Sequence, residues 1–283
     1  MNDKICLVTG ATHGIGLATA RALAHGGAQV LVHGRDLART RATAQALSRD
    51  TGNPAVTAVQ ADFASLADVR RLAQELSSSL PRLDVLINNA GMMSATPGRS
   101  ADGYDLTFAV NHLAPFLLTN LLLAKLRAAA AARIVVVASA VHRRARLDFD
   151  DLMNARVSGL MPAYARSKLA NILFVRALAR RLEGTAVTVN ALHPGTVRSH
   201  LFHDNLLLRV VLAGVGPLFM LTPEQGARTS IYLATSPEVA GLSGGYYERC
   251  RRVEPGVAAQ NEADGERLWQ ASAQLAGLTA QEG

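Results

Sequence analysis

At 283 residues, with 49% hydrophobic and 18% charged side chains, the chain can bury a substantial core and has neither a disordered nor a fibrous composition. Its net charge of +7 comes from 29 basic and 22 acidic residues; 26 of the basic residues are arginine, and only Lys4, Lys125 and Lys168 are lysine. The arginines are dispersed and form no continuous stripe, which argues against nucleic acid and favours an anionic small ligand.

Residues 5–8 read as a buried strand that runs into Thr9-Gly10-Ala11-Thr12-His13-Gly14-Ile15-Gly16 and a helix over 15–25. Apolar strand-length runs follow at 29–32, 56–59, 85–87, 134–137 and 187–191, with helical patterns at 37–49, 66–79, 103–130 and 163–183 between them. Runs apolar on both faces suit a sheet covered by helices on both sides. The alternation predicts an α/β chain, one doubly wound domain over 1–283 with a predominantly parallel sheet flanked by helices. Two longer excursions, 140–162 and 196–222, leave strand ends where open α/β folds bind ligands, so they are expected to wall a substrate pocket. Pro162 can open one helix, and Thr222-Pro223-Glu224 reads as the cap and first turn of another. A last short strand is expected at Tyr246-Tyr247 and a terminal helix around Trp269, while Glu248, Arg249 and Cys250 receive no assignment.

Two cysteines, Cys6 and Cys250, cannot build a disulfide framework. The opening MNDKICLVTG carries no charged-then-apolar leader, and the most apolar stretch, 206–221, is interrupted by Arg209 and short for a bilayer. The expectation is a cytoplasmic protein without a membrane anchor.

The glycine turn joins a strand to a helix, the setting in which such glycines bind a dinucleotide. Gly10 permits the tight turn, Gly14 lets backbone approach a pyrophosphate, and Gly16 lets the helix pack closely on the strand. The amides and dipole of the helix N-terminus favour the phosphates. With three residues between the first two glycines, the motif resembles that of the short-chain dehydrogenase/reductase family, whose fold is Rossmann-like. Asp62-Phe63 after the third strand and Asn88-Asn89-Ala90-Gly91 after the fourth resemble its adenine and ribose segments. His193-Pro194-Gly195-Thr196 resembles the turn that closes over nicotinamide. Asn111, Ser139, Tyr164 and Lys168 resemble its catalytic tetrad. The resemblance covers about residues 3–250 and is nearest the retinol-dehydrogenase-like branch, as seen in Ala163-Tyr164-Ala165-Arg166-Ser167-Lys168 and Val189-Asn190-Ala191-Leu192-His193. Members of that branch often carry an N-terminal membrane anchor, which departs from the expectation here. Ala138 is another departure, since a second serine often precedes the catalytic one. The resemblance also implies a homodimer or homotetramer packed through the helices around Asn111 and Tyr164.

The second strand ends Val32-His33-Gly34-Arg35-Asp36. Aligned with the family it resembles, Gly34 stands where a carboxylate would select NAD(H) by gripping the ribose 2′-hydroxyl; glycine removes the repulsion of a 2′-phosphate, and Arg35 can bind one. His13 could add a donor. NADP(H) is therefore expected over NAD(H), with Asp36 serving as a helix cap.

Tyr164 and Lys168 lie four apart and share a helix face. A carbonyl accepting a hydride develops negative charge on oxygen and needs a proton donor. The ammonium beside Tyr164, together with the positive nicotinamide of the oxidised cofactor, is expected to favour phenolate and draw the phenol down. Ser139 would hold the substrate oxygen, and Asn111 would anchor a water linking Lys168 to solvent. The expected function is an oxidoreductase acting on a small-molecule carbonyl or alcohol. Met92, Met93, Leu147, Phe149, Leu152, Met153, Leu201 and Phe202 suggest that this substrate is hydrophobic. An epimerase or dehydratase and a non-catalytic NADP(H) sensor are the alternatives. The first needs a longer C-terminal domain, and the second would not require Tyr164 with Lys168. His200, His203 and Asp204 lack the further ligands of a metal site. His142 reads equally as a pocket or a turn residue.

Overall fold

The computed structural model describes residues 1–93, 98–156, 159–197 and 220–278. Eight strands form one sheet: β1 (Ile5–Val8), β2 (Gln29–Gly34), β3 (Val56–Gln60), β4 (Val85–Asn88), β5 (Ala132–Val137), β6 (Val187–His193), β7 (Tyr246–Glu248) and β8 (Arg251–Val253). Their order is β3-β2-β1-β4-β5-β6-β7-β8, and every neighbouring pair is parallel except β7 with β8. Strand order reverses between β1 and β4, so a crevice opens beyond their carboxyl ends, where ligands bind in such sheets.

The expected helices form as α1 (Gly14–His25), α2 (Leu37–Thr51), α3 (Leu66–Ser79) and, after β4, a broken run. Each sheet face carries its own core. Val8, Val32, Ile87 and Leu192 pack with Leu23 of α1 and Leu47 of α2, while Leu7, Leu86, Val136 and Val189 pack beneath α3 and the later helices. Asp36 caps α2 by accepting the Arg39 amide at 2.7 Å, as expected.

The stretch 103–130 is not one helix. It divides into α4 (Leu106–Phe108), a π-turn (Ala109–Leu113), α5 (Ala114–Leu121) and α6 (Leu123–Arg127). Pro115 supplies the reason: it has no N–H to give the Asn111 carbonyl four residues back, and its ring crowds that carbonyl. The ladder therefore widens where Asn111 sits.

Helix α7 (Leu160–Arg181) begins earlier than expected, with Pro162 inside its first turn, where no amide donor is required. Helix α8 (Pro223–Thr235) starts with a capping box between Thr222 and Gln225. Arg249 and Cys250 form the two-residue loop joining β7 to β8, with φ of 51° and 61°. Both signs match a hairpin turn usually built from glycine or asparagine, which is why no sequence signal marked it.

Helix α9 (Glu262–Ala276) lies over α5 and α7. Trp269 meets Phe116 edge-on at 5.0 Å and stacks near Phe174 at 6.0 Å, with the Arg181 guanidinium 4.0 Å from its ring. Leu147, Phe149, Leu152 and Met153, expected to wall a pocket, pack against this core. Leu201, Phe202, His200, His203, Asp204 and most of the 196–222 excursion lie outside the described residues. Among the described residues no helix is long and apolar enough to cross a membrane, and no group of metal-ligating side chains gathers.

Two buried histidines make stability depend on pH. Burial lowers both His33 and His112 from 6.5 to about 4. Between those values the unfolded chain binds more protons than the folded one, so stability is complete above about pH 6.5 and declines as pH falls toward 4. The loss reaches up to about 3 kcal/mol per ring. Urea midpoints measured from pH 7 to 4.5 should fall, and His112→Gln should flatten the slope; a level midpoint in the unmutated protein would contradict this.

Candidate active site

The carboxyl ends of β1 and β4 are latched together. The buried Thr9 hydroxyl donates to the Ile87 carbonyl at 3.1 Å and accepts the Asn89 and Ala90 amides, each at 2.9 Å. The Asn89 side chain donates back to the carbonyls of Thr9, at 2.8 Å, and Gly10, at 3.1 Å. Thr9 and Asn89 therefore shape the crevice from behind.

The three glycines meet different demands. A β-carbon on Gly10, at φ +62°, would come within 2.8 Å of Ala90 Cα. One on Gly16 would overlap the Gly10 carbonyl and the Asn89 amide. One on Gly14, at φ +58°, would meet nothing within 4 Å. Gly10 and Gly16 thus allow close packing, while Gly14 faces open space at the start of α1. His13, the residue before α1, gives no side-chain cap, and the first turn holds no acid. Uncapped amides of Gly14, Ile15 and Gly16 before an open cradle fit a pyrophosphate. The Thr12 hydroxyl lies 3.2 Å from His13 Nδ1 at the rim.

Beyond β2, a β-carbon on Gly34 would collide with the Thr40 hydroxyl and approach Thr12 Cγ2 to 2.6 Å. No carboxylate can be carried there without moving both threonines. Arg35 is exposed; its carbonyl accepts from Gln60 Nε2 at 3.0 Å, and no hydrogen bond of its guanidinium occurs among the described residues. Asp62 Oδ1 accepts the Ala64 amide at 2.9 Å, fixing the turn after β3. The Phe63 ring turns inward and stacks on His33 at 4.4 Å, which leaves its backbone for any ligand contact.

At the other end of the crevice, Tyr164 and Lys168 project from α7 toward the end of β5. Lys168 is 3% exposed, donates from Nζ to the Val137 carbonyl at 2.9 Å and lies 5.5 Å from the Tyr164 ring centroid. Burial brings its ammonium down to about 8. Burial pushes the Tyr164 phenol up to about 12, opposed by a hydrogen bond with the Ser139 side chain. The lowering expected of Tyr164 belongs to the ammonium acting together with the oxidised nicotinamide; in the protein by itself burial is the dominant influence on the phenol. Gly91 fits between the two helices, since a β-carbon there would lie 3.3 Å from Lys168 Nζ and 3.4 Å from Asn111 Oδ1.

Asn111 is fully buried and fastens neighbouring segments. Its Nδ2 donates to the Met92 carbonyl at 2.9 Å and to Ser167 Oγ at 3.0 Å, while its Oδ1 accepts the Met92 amide at 2.7 Å. Ser167 in turn donates to the Tyr164 carbonyl at 2.7 Å. His142 proves to be a turn residue. The Gly256 amide donates to its Nε2 at 2.9 Å, so Nδ1 carries the hydrogen and donates to the Ser139 carbonyl at 2.6 Å. Sequence reasoning gave Ser167 and His33 no role, because neither belongs to a spaced motif. Pro194, Gly195 and Thr196 follow β6; Gly195 has φ +88°, and Thr196 accepts the Leu221 amide at 2.8 Å.

The family model for short chain dehydrogenases matches residues 4–206. Human retinol dehydrogenase 14 is 45% identical, with 98% of this chain and 88% of that protein covered. Human retinol dehydrogenase 13 is 41% identical over 98% of this chain and 86% of its own. Among solved structures, a Mycobacterium paratuberculosis protein superposes with a TM-score of 0.80 at 31% identity, covering 98% of this chain and 94% of that one. The Pseudomonas aeruginosa RhlG/NADP complex gives 0.71 at 29%, covering 92% and 97%. The likeness to the retinol-dehydrogenase branch read from the motifs is borne out.

The glycine geometry yields a direct test. Gly16→Ala should raise the dissociation constant for a nicotinamide dinucleotide by more than about tenfold, because the added methyl group overlaps the backbone carbonyl of Gly10 as well as the Asn89 side-chain amide that ties the strand ends together. Titration by fluorescence measures this, and unchanged affinity would show that the turn is not the phosphate cradle.

Proposed function

The chain is a member of the short-chain dehydrogenase family, an oxidoreductase acting on CH–OH groups, and we propose that it uses NADP(H) with a hydrophobic substrate, a carbonyl or a primary or secondary alcohol. The observation that carries the reading is the grouping of the Tyr164 phenol, the Ser139 hydroxyl and the buried Lys168 amine at one strand end. The bound nicotinamide would supply or take the hydride.

In this reading Tyr164 is the general acid in reduction and the general base in oxidation. Its phenol is poor at either task alone, since burial favours the protonated form. The Lys168 ammonium lies close enough to stabilise phenolate, and anionic character on Tyr164 in turn supports the charged lysine. Ser139 is placed to donate to the substrate oxygen and to hold Tyr164 in position. Lys168 also suits a role on the nicotinamide ribose hydroxyls. Asn111 spans the segments that carry these groups. Its carbonyl, to which Pro115 cannot donate, is a candidate anchor for the water that would connect Lys168 to solvent.

Preference for NADP(H) is supported by the filled space at Gly34 and the exposed guanidinium of Arg35. A hydrophobic alcohol accords with the retinol named in the relatives. A cytoplasmic location accords with two unpaired thiols, Cys6 and Cys250. A homodimer or homotetramer remains part of the proposal, formed outside the faces of α5 and α7 that α9 covers.

Tyr164→Phe should lower kcat by at least about a hundredfold while NADPH affinity stays within about twofold. Full turnover in that variant would end the assignment. A panel of ketones, aldehydes, steroids and retinoids, read by reduced-cofactor absorbance, should show apolar substrates and higher kcat/KM with NADPH than NADH. Arg35→Ala should narrow the cofactor ratio by about tenfold. A wild-type preference for NADH would overturn the NADP(H) reading.

A further inference from the structure

His33 ends no motif, yet it joins three strand ends. It is 3% exposed on β2. The Gly10 amide donates to its Nδ1 at 3.2 Å, and its Nε2 lies 3.1 Å from the Ala61 carbonyl. Because an amide N–H can only donate and a carbonyl only accept, Nδ1 is bare and Nε2 carries the hydrogen. The backbone carbonyl of the same residue accepts the Ala11 amide at 2.9 Å. One residue therefore takes two successive amides of the glycine turn. The ring is held in this pose by the Phe63 stack at 4.4 Å, next to Asp62.

Drawing the Gly10 and Ala11 amides toward β2 has a consequence for the rest of the turn. Gly10 has a positive φ, and α1 starts at Gly14, where an added β-carbon would meet nothing within 4 Å. We propose that His33 is a positioning residue for dinucleotide binding, its bare Nδ1 setting the orientation of the glycine turn and hence of the amides that hold the phosphates. Ala61 and Phe63, which flank the turn on the adenine side, are tied to the same ring, so His33 couples the phosphate and adenine halves of the cleft. The inference rests on the reading of this turn as a dinucleotide site.

The test compares His33→Phe, which keeps the ring and its stack but leaves the Gly10 amide unpaired, with His33→Asn, whose side-chain oxygen can take the place of Nδ1. Dissociation constants for NADPH and NADP+ are measured by fluorescence on the full chain, together with kcat at saturating cofactor. His33→Phe should weaken binding by about tenfold, with kcat within about twofold. His33→Asn should stay within about threefold of the unmutated protein. A merely structural histidine would lower thermal stability in both variants without separating them in affinity. Equal losses in both, or unchanged affinity in His33→Phe, would overturn the inference alone. Failure of the unmutated protein to bind either dinucleotide would overturn the underlying reading as well. Should His33→Phe not fold, 15N spectra of the unmutated protein decide: a bare Nδ1 coupled across the hydrogen bond to the Gly10 amide supports the assignment, and a protonated Nδ1 overturns it.

Discussion

A primary amine shut inside the protein with one carbonyl for company is the constraint on which the candidate site turns. Lys168 Nζ donates to Val137 at 2.9 Å and forms no ion pair among the described residues. Removing an ammonium from water without a counter-charge is costly, and the amine answers by giving up its proton more readily. Tyr164 has the complementary difficulty, since burial disfavours its phenolate. Each charged form is unfavourable alone, and each is the natural remedy for the other. In the proposed role the two would titrate as a pair.

That pairing needs rigid support, because no third charged group contributes to the shift of either residue. The support is largely backbone. Val137 at the end of β5 receives the amine, Gly91 admits it by lacking a side chain, and Asn111 joins Met92 to Ser167 one turn along α7. Ser139 is steadied by His142, whose two ring nitrogens bridge the Ser139 carbonyl and the Gly256 amide. The groups proposed to react are few, and the groups around them are neutral and hydrogen-bonded, which avoids further buried charge.

Local rules explain what could be read without coordinates. The strand, glycine turn and helix depend on a strand period, positive φ and a helix start, all visible in residues 5–25, and the four-residue spacing of Tyr164 and Lys168 fixes a shared face. The order of the strands does not follow from that alternation, since doubly wound sheets come in more than one order. What escaped depends on contacts remote in the chain. His33 meets Gly10 and Ala61 only after three strands align. The hairpin at Arg249 and Cys250 uses residues that rarely adopt positive φ, and the pairing of β7 with β8 imposes it. The helical period over 103–130 was real, but Pro115 changes the ladder without changing the pattern of apolar residues. Spacing reveals that Lys168 neighbours Tyr164 and conceals how little water either group meets.

The terminal helix shows why a segment without reactive residues can still bear on the site. Burial of Trp269 against Phe116 and Phe174 fixes α9 across α5 and α7. Ser272 on the same helix lies 2.8 Å from His112 Nε2, and His112 is the neighbour of Asn111 within the π-turn. The other nitrogen of His112 lies 3.4 Å from Asn171 Oδ1, an oxygen that can only accept, so Nδ1 carries the hydrogen and the serine hydroxyl donates to Nε2. Arg70 adds a tie from α3 by donating to the carbonyls of Ala276 and Gly277, at 2.8 and 2.6 Å. A π-turn is a locally widened helix turn, and here the segments around it hold it. Here α9 provides that hold from outside while Met92 and Ser167 provide it from within, and Asn111 is fixed between the two. The covering helix also removes from solvent the faces of α5 and α7 that it meets.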